Sequence, residues 1–484
     1  MTKDTPQRAV DAAASAEASR LAVVKNMAAS QFHGAIRPRP PRVVAVIAAV
    51  LALCGVLAGA AGPVPDTQPS PIQRALGFLL LHQVRQPLDV EVNGVRVVDF
   101  PGNWPQFFGL RDVPSFRVRD VSPFSVAFIH HALTYASETN QRALGLGPLD
   151  VGAARWMRQQ AAGFMRRFES PPGAPDAGTF GFWPQDADPG TPDLLTTLLL
   201  TSWLRGPILG GNRVPINLPI YPSTLALPTD ADVTATTYAS LLDAANLDGA
   251  PRSSVAFERF FVEWRDIGLV PRRLNPFWLP PASGAFLTWL TYRDPQFPLF
   301  PNDVDAVVNA NVLYALGRHR RLNVPGAAQA VGLINYVTAL GLHRGRLQEI
   351  TDYYPDNLTF HYAVSRAFRE GGVFTLAPAV RILADDLEAS VLLRPDGTAY
   401  WDRGDPHLNT AFAVLTLLNA GRRSGIVDRA IAYLVSEQGP LGGFDEATFF
   451  IGRTDGGQVF EFRSASLTTA MVLEALARYR APGS

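Results

Sequence analysis

Two aspartates at the start of a predicted helix could do acid chemistry. Asp303 and Asp305 precede apolar residues at Val308, Val312 and Leu316, which recur at helical spacing. Aspartate at a helix start accepts hydrogen bonds from free backbone N–H groups and is favoured by the helix dipole. One interpretation is therefore structural, with Asp303 as the helix cap and Asp305 supporting the first turn. The other is chemical, with one of the two carboxyl groups acting as an acid at the mouth of a cavity.

The composition narrows the possible functions. The chain has 484 residues, 47% of them hydrophobic, so it can bury a large core. Its 43 Lys and Arg balance 43 Asp and Glu, and we expect no nucleic-acid partner because that needs a basic surface. The single cysteine, Cys54, lies in an apolar run, which argues against a disulfide framework or a cysteine zinc site. We predict no metal and no cofactor.

The first 62 residues differ from the rest of the chain. Residues 1–42 are rich in Ala, Ser and Arg, and we predict a disordered leader. Residues 43–62 carry no charge and are about long enough to cross a bilayer. The arginines before them place the N-terminus on the cytoplasmic side of the membrane. Ala58-Gly59-Ala60 is typical of a signal-peptide cleavage site. We therefore expect a transmembrane signal-anchor or a signal peptide, with the folded domain outside the cytoplasm, either anchored to the membrane or exported.

A helix–loop–helix pattern recurs through residues 71–480. The first helix of each pair is amphipathic and carries more Arg, Glu and Gln, as in 74–83 and 430–438. The second helix opens with small polar residues and continues apolar, as in 194–204 and 466–479. Helix pairs that cannot bury their own faces must stack on each other, and about six pairs can remove their exposed ends by closing into a ring. We predict an all-α domain, a closed α/α toroid, preceded by one N-terminal hydrophobic helix.

One copy of the repeat carries a family resemblance. An outer helix ends at Gln438, a Gly442-Gly443-Phe444 loop follows, and an apolar inner helix comes next. This order resembles the repeat of squalene–hopene cyclases and related class II terpene cyclases, in which the Gln and the aromatic residue tie neighbouring helix pairs together. The resemblance covers most of 71–480 and implies the toroid.

The resemblance also gives the aspartates a role. Class II cyclases carry Asp-x-Asp-Asp at the start of an inner helix, and their third position protonates an alkene or epoxide. Asp303-Val304-Asp305-Ala306 keeps the first and third positions and departs at the fourth. The resemblance thus implies that Asp305 is the acid and that Asp303 tunes it, with an apolar lipid or isoprenoid as the substrate and a membrane nearby.

Protonation of an unactivated alkene needs a carboxylic acid that stays neutral in a dry cavity. Burial and a nearby carboxylate both raise the pKa of an aspartate, and aromatic faces attract the cation that forms. Candidate substrate-binding residues are Trp289, Tyr292, Tyr354, Tyr362 and Asp232, the last at the start of another inner helix.

Two other functions remain open from the sequence. An exported carbohydrate-active toroid would use two carboxylates about 5–10 Å apart, such as Asp305 and Asp232. A non-catalytic toroid would bind lipid or protein. A closed apolar cavity favours the cyclase, an open polar groove favours the glycan enzyme, and a filled ring centre favours the scaffold. His130 and His131 are predicted to be structural because adjacent residues do not share a helix face.

Overall fold

The structure is a computed structural model that describes most of the chain after residue 67. The described residues are 68–92, 95–138, 141–174, 176–182, 229–270, 272, 276–290, 302–453 and 459–481. The predicted leader 1–42, the apolar segment 43–62, the predicted helix 194–204 and Tyr292 lie outside them. Among the described helices, none is long and apolar enough to cross a membrane.

Helices dominate the described residues. They are α1 (Pro71–His82), α2 (Pro123–Glu138), α3 (Gln141–Leu144), α4 (Pro148–Met165), α5 (Ala231–Asp248), α6 (Glu258–Glu263), α7 (Ala306–Arg318), α8 (Ala327–Ala339), α9 (Thr359–Arg369), α10 (Ala377–Ala389), α11 (Pro406–Asn419), α12 (Gly425–Ser436) and α13 (Ala465–Arg480).

Two kinds of helix alternate along the chain. The helices α2, α5, α7, α9, α11 and α13 are buried on nearly every face, and in α7 each residue from Ala306 to Leu316 is buried. The helices between them bury one stripe, as α12 does with Val427, Ala430 and Leu434. A helix that is buried all round belongs in the interior, whereas an amphipathic helix covers it. The described helices therefore divide into inner and outer sets.

The inner helices contact one another in sequence order. Contacts join α2 to α5, α5 to α7, α7 to α9, α9 to α11 and α11 to α13. A further contact joins α13 to α2. Small residues in the first turns of α5 and α13 allow close approach there, because Ala, Ser and Thr keep the side-chain layer thin.

Glutamines after the outer helices join neighbouring helix pairs. Gln438 follows α12, donates a hydrogen bond to the carbonyl of Pro71 at 2.9 Å, and accepts one from Nε of Arg74 at 3.0 Å. Gln83 follows α1 and donates to the carbonyl of Met157 in α4 at 2.9 Å. The first and last helix pairs of the described domain are thus linked directly, and we call the Gln438 contacts with α1 the terminal latch.

The structure also contains strands, which the all-α prediction missed. These are β1 (Leu88–Val92), β2 (Val95–Asp99), β3 (Gln106–Leu110), β4 (Val113–Asp120), β5 (Leu392–Leu393), β6 (Ala399–Tyr400), β7 (Ala447–Arg453) and β8 (Val459–Ser464). Antiparallel pairing gives a four-stranded sheet in the order β4-β3-β8-β7, beside two hairpins.

The expectation of an all-α domain is therefore wrong for the segments that precede α2 and α13. Residues 460–463 alternate apolar and polar side chains, which is the pattern of a half-buried strand. Phe108 of β3 lies opposite Phe462 of β8. Because β4 runs into α2 and β8 into α13, the sheet adjoins the N-terminal ends of inner helices.

Candidate active site

Asp305 is the N-cap of α7. Its Oδ1 accepts hydrogen bonds from the backbone N–H groups of Val307 at 2.7 Å and Val308 at 3.1 Å. Its Oδ2 accepts from the Thr351 hydroxyl at 2.8 Å and from the Asp352 N–H at 2.9 Å. A carboxylate offers about four lone-pair directions, so these donors fill the capacity of Asp305. The side chain fixes both the start of α7 and the loop before α9.

Burial and hydrogen bonding act on Asp305 in opposite directions. The pKa of Asp305 is raised to about 7: burial is the largest cause and the charge of Asp303 acts in the same direction, whereas hydrogen bonds from Thr351, Val308 and Val307 lower it. A proton placed on Asp305 would displace one of the four donors. The local geometry therefore suits the ionised form, while the dry surroundings suit the neutral one.

Asp303 lies just outside the helix. The prediction that it caps α7 is wrong, because a cap accepts from the second and third helical N–H groups and those groups contact Asp305. Asp303 is buried, and its Oδ2 accepts from the Tyr353 hydroxyl at 3.1 Å. The ring of Trp289 meets that of Tyr353 edge-on, with centroids 6.1 Å apart. The Tyr353 ring therefore connects Trp289 to Asp303.

A small cleft borders the two aspartates. Its walls include Asp303, Asp305, Pro276, Leu279 and Thr351. The cleft has a volume of about 20 Å³, which suffices for a water molecule. The described walls of this cleft leave no room for an isoprenoid chain.

A second aspartate pair opens α5 with the roles exchanged. Asp230 is the cap there, accepting from the Val233 N–H at 2.6 Å, and burial raises its pKa well above the usual range. Asp232 lies in the first turn and is free of the capping role. The same Asp-x-Asp spacing thus places the second aspartate at the cap on α7 but inside the helix on α5.

Asp232 has the environment of a poised acid. Its Oδ2 accepts from the Tyr354 hydroxyl at 2.6 Å and its Oδ1 from Nδ2 of Asn311 at 2.7 Å. The pKa of Asp232 is raised to about 7: burial is the largest cause and the Asp305 charge acts in the same direction, while hydrogen bonds from Tyr354 and Asn311 lower it. Each oxygen accepts one described hydrogen bond and has a second lone-pair direction. A proton can therefore reside on Asp232 without breaking either contact.

Aromatic rings pack against Tyr354. The ring centroids of Phe124, Phe449 and Phe450 lie 6.2, 6.1 and 6.4 Å from that of Tyr354. Phe128 continues the cluster, 5.0 Å from Phe449. All five rings are buried, and aromatic faces attract cations. The Tyr354 hydroxyl thus joins Asp232 to an aromatic interior.

A buried cation lies on the other side of Asn311. Arg366 of α9 donates from Nη2 to Oδ1 of Asn311 at 2.6 Å. Its guanidinium lies over the rings of Tyr314 and Phe128, at 4.3 and 4.5 Å from their centroids. Asn311 therefore bridges Asp232 and Arg366, and its amide orientation is fixed from both sides.

An ionic network lies further along the inner helices. His131, Glu370 and Glu474 bring their ligand atoms within 4.8 Å of one another. Arg478, however, donates to Glu370 at 2.8 Å and to Glu474 at 3.2 Å. Because a guanidinium already serves these carboxylates, we assign no metal to the trio. Tyr362, a predicted substrate-binding residue, donates its hydroxyl to Glu474 at 2.9 Å and belongs to this network.

The predicted site residues therefore separate into groups. Asp232 and Tyr354 share a hydrogen bond, whereas Asp303 and Asp305 border the cleft. Sequence reasoning missed Asn311 and Arg366. Each is a buried polar residue on an inner helix, and a buried polar group needs a partner, which is the signal that could have found them.

Comparisons with known proteins give structural likeness only. No protein-family model and no curated protein matches the sequence. Among solved structures, the ligand-free type II terpene cyclase MstE from Scytonema has a TM-score of 0.48 at 14% identity, over 84% of this chain and 96% of that chain. A variant of MstE in complex with its substrate geranylgeranyl dihydroxybenzoate has a TM-score of 0.47 at 13% identity, over 85% and 96%.

A protein from Actinoplanes has a TM-score of 0.41 at 16% identity, over 84% of this chain and 98% of that chain. Because these TM-scores and identities are low, we infer neither the fold nor the function of this chain from them.

Proposed function

We propose that the protein is a class II terpene cyclase-like enzyme that starts the cyclisation of an apolar isoprenoid by protonation. The observation that carries the proposal is the buried carboxyl group of Asp232, which is hydrogen-bonded to Tyr354 at the edge of the aromatic cluster. A pKa of about 7 leaves Asp232 substantially neutral at neutral pH. An acid and cation-stabilising rings are the two requirements of this chemistry.

We also propose that the six inner helices form a closed α/α toroid over residues 71–480. The proposal is supported by the contact between α13 and α2, which returns the order of inner helices to its start. The terminal latch supports it from the outer helices. In this proposal residues 43–62 either anchor the domain to a membrane, where an apolar substrate is available, or direct its export.

In the proposed reaction Asp232 is the proton donor. Its O–H bond breaks as a C–H bond forms at a terminal alkene at the expense of the π bond, or as an O–H bond forms at an epoxide whose C–O bond opens. The enzyme is left with a carboxylate and the substrate becomes a cation. Ring closures pass the positive charge along the substrate until a carbon loses a proton to water, and Asp232 regains a proton from water, so the product is an isomer. The Tyr354 hydroxyl stabilises the carboxylate that forms, and Asn311 keeps its second oxygen in place.

Asp305 remains the alternative acid, with Asp303 beside it. We favour Asp232 because it accepts two described hydrogen bonds whereas Asp305 accepts four. Asp305 then holds the end of α7 and contributes its charge to the high pKa of Asp232.

The burial of both carboxylates distinguishes this proposal from a glycan enzyme. Asp232 and Asp305 are 5% and 2% exposed, whereas glycan cleavage brings a polar substrate and a water molecule between two carboxyl groups. A non-catalytic lipid-binding toroid is the second candidate, favoured by the aromatic rings that fill the space beside Tyr354.

The proposal is tested by incubating the full-length protein with linear C20 and C30 polyprenes and their epoxides, followed by mass spectrometry. We expect a cyclised product of unchanged mass from the wild type and from Asp305→Asn, and none from Asp232→Asn. Loss of product in Asp305→Asn alone would make Asp305 the acid. Absence of product in all three proteins, with lipid bound to each, would leave a binding protein.

A further inference from the structure

Strand β7 has one residue too many for its partner. Thr448 lies opposite Arg463 and Phe450 opposite Phe462, so Phe449 between them faces no residue of β8. This is a β-bulge, which bends a strand and redirects a side chain, often beside a functional site. The side chain of Phe449 is therefore released from the alternation of the sheet.

The ring of Phe449 lies among four aromatic rings from three parts of the chain. The centroids are 5.0 Å away for Phe128, 5.5 Å for Phe124, and 6.1 Å each for Tyr354 and Phe412. We call these four residues the aromatic cage. Phe449 is 1% exposed, so a single phenyl ring from the sheet fills a cage built by α2, α11 and the loop before α9.

The cage has the composition of a binding site for an apolar chain. Its walls are aromatic, and its polar group is the Tyr354 hydroxyl, which donates to Asp232. A hydrocarbon group that replaced the phenyl ring would keep the same contacts and would lie next to the hydroxyl. The occupant and the expected ligand therefore have the same surface chemistry.

Besides its ladder to β8, four described polar contacts fasten β7 over the cage. Asn357 donates from Nδ2 to the carbonyls of Thr448 at 3.1 Å and Phe449 at 2.7 Å. Asp405 accepts from the Thr448 N–H at 3.0 Å, and the Ile451 N–H donates to the Tyr353 carbonyl at 2.8 Å. These bonds are made to loops beside α9 and α11, so β7 can leave the cage without unfolding a helix.

We propose that Phe449 is a displaceable plug, and that the aromatic cage binds the apolar body of a ligand when β7 lifts away from Asn357. The inference deepens the proposed function, since the ligand it admits is the apolar isoprenoid of that reaction. It makes access to Asp232 depend on one strand.

The test uses a substitution that loosens β7 without removing a helix cap. Asn357→Asp keeps the oxygen that accepts from the Thr359 N–H at 2.9 Å, but it turns the donor to Thr448 and Phe449 into an oxygen that repels both carbonyls. Asn309→Asp is the matched control. Asn309 also donates two hydrogen bonds to carbonyls, of Phe286 at 2.9 Å and Asp305 at 2.8 Å, on α7 rather than on β7.

The full-length proteins are mixed with N-phenyl-1-naphthylamine, an uncharged aromatic fluorophore. We expect Asn357→Asp to speed probe association and amide exchange at Thr448 and Ile451 about tenfold, because two hydrogen bonds are lost. Asn309→Asp is expected to match the wild type in both. Phe449→Ala is expected to bind the probe about tenfold more tightly, because its cage is empty.

Unchanged probe association in a folded Asn357→Asp protein would overturn the plug, as would unchanged affinity in Phe449→Ala. If Asn357→Asp fails to fold, the test is made on the wild-type protein. Saturating probe is then expected to speed hydrogen exchange of the Ile451 amide, and an unchanged exchange rate refutes the proposal. These measurements need no reaction. Absence of cyclised product beside the expected probe results would remove the proposed function and leave the plug intact.

Discussion

The replacement Asp232→Asn should remove a pH-dependent loss of stability. Burial raises the pKa of Asp232 from 3.8 to about 7, whereas the unfolded chain has the lower value. Between these pH values the folded state holds a proton that the unfolded state has lost, so the free energy of unfolding falls as pH rises. The difference of about 3 pKa units corresponds to roughly 4 kcal/mol at about 1.4 kcal/mol per unit. Asparagine does not titrate, so this decrease in the free energy of unfolding is absent from the Asp232→Asn variant.

The assay is urea unfolding followed by circular dichroism at several values between about pH 4 and pH 8. The curve of unfolding free energy against pH should be flatter for Asp232→Asn than for the wild type, by up to roughly 4 kcal/mol across the range. Asp445→Asn, at an exposed position, serves as the control and should parallel the wild type. Parallel curves for Asp232→Asn and the wild type would show that Asp232 is ionised throughout, and the proton-donor reasoning would fail.

Three further outcomes are expected. Gln438→Ala removes the terminal latch and should lower the free energy of unfolding by about 1–2 kcal/mol in urea titration, and an unchanged value would show that the latch does not hold the first and last pairs. Gly443→Ala places a methyl group 2.2 Å from a ring carbon of α1 and should cost about 1–3 kcal/mol, whereas Gly77→Ala, with nothing within 4 Å, should stabilise α1 by up to about 1 kcal/mol; equal effects would contradict the packing. Tyr354→Phe removes a donor to the carboxylate and should raise the pKa of Asp232 further, seen in its carboxyl ¹³C titration; a lower midpoint would refute the hydrogen bond.

Helix positions were predictable because their signals are local. The predicted helix 466–479 corresponds to α13 (Ala465–Arg480). Small residues and apolar periodicity mark this segment, and neither signal needs knowledge of the rest of the chain. The strands β7 and β8 were not predicted because the helical repeat favoured the interpretation of 447–464 as a loop between helices. The strand β3, which pairs with β8, lies more than 300 residues away in sequence.

The candidate site was predictable only in part. Asp232 and Tyr354 were both named from the sequence, but their hydrogen bond spans 122 residues and no local pattern encodes it. The N-cap of α7 is Asp305, two residues after the expected cap Asp303, because the first helical turn begins at Ala306. Phe449 was missed because its position depends on a register shift between two strands, which sequence periodicity does not reveal.

The terminal latch has a consequence for folding during translation. Arg74 and Gln438 are 364 residues apart, and at about 5–20 residues per second their synthesis is separated by roughly 20–70 s. During that interval the face of α1 that packs on α13 has no partner, and closing so long a loop is entropically slow. Nascent chains should therefore hold an exposed apolar helix for much of translation, and holdase chaperones should bind them at α1 until the last helix pair emerges.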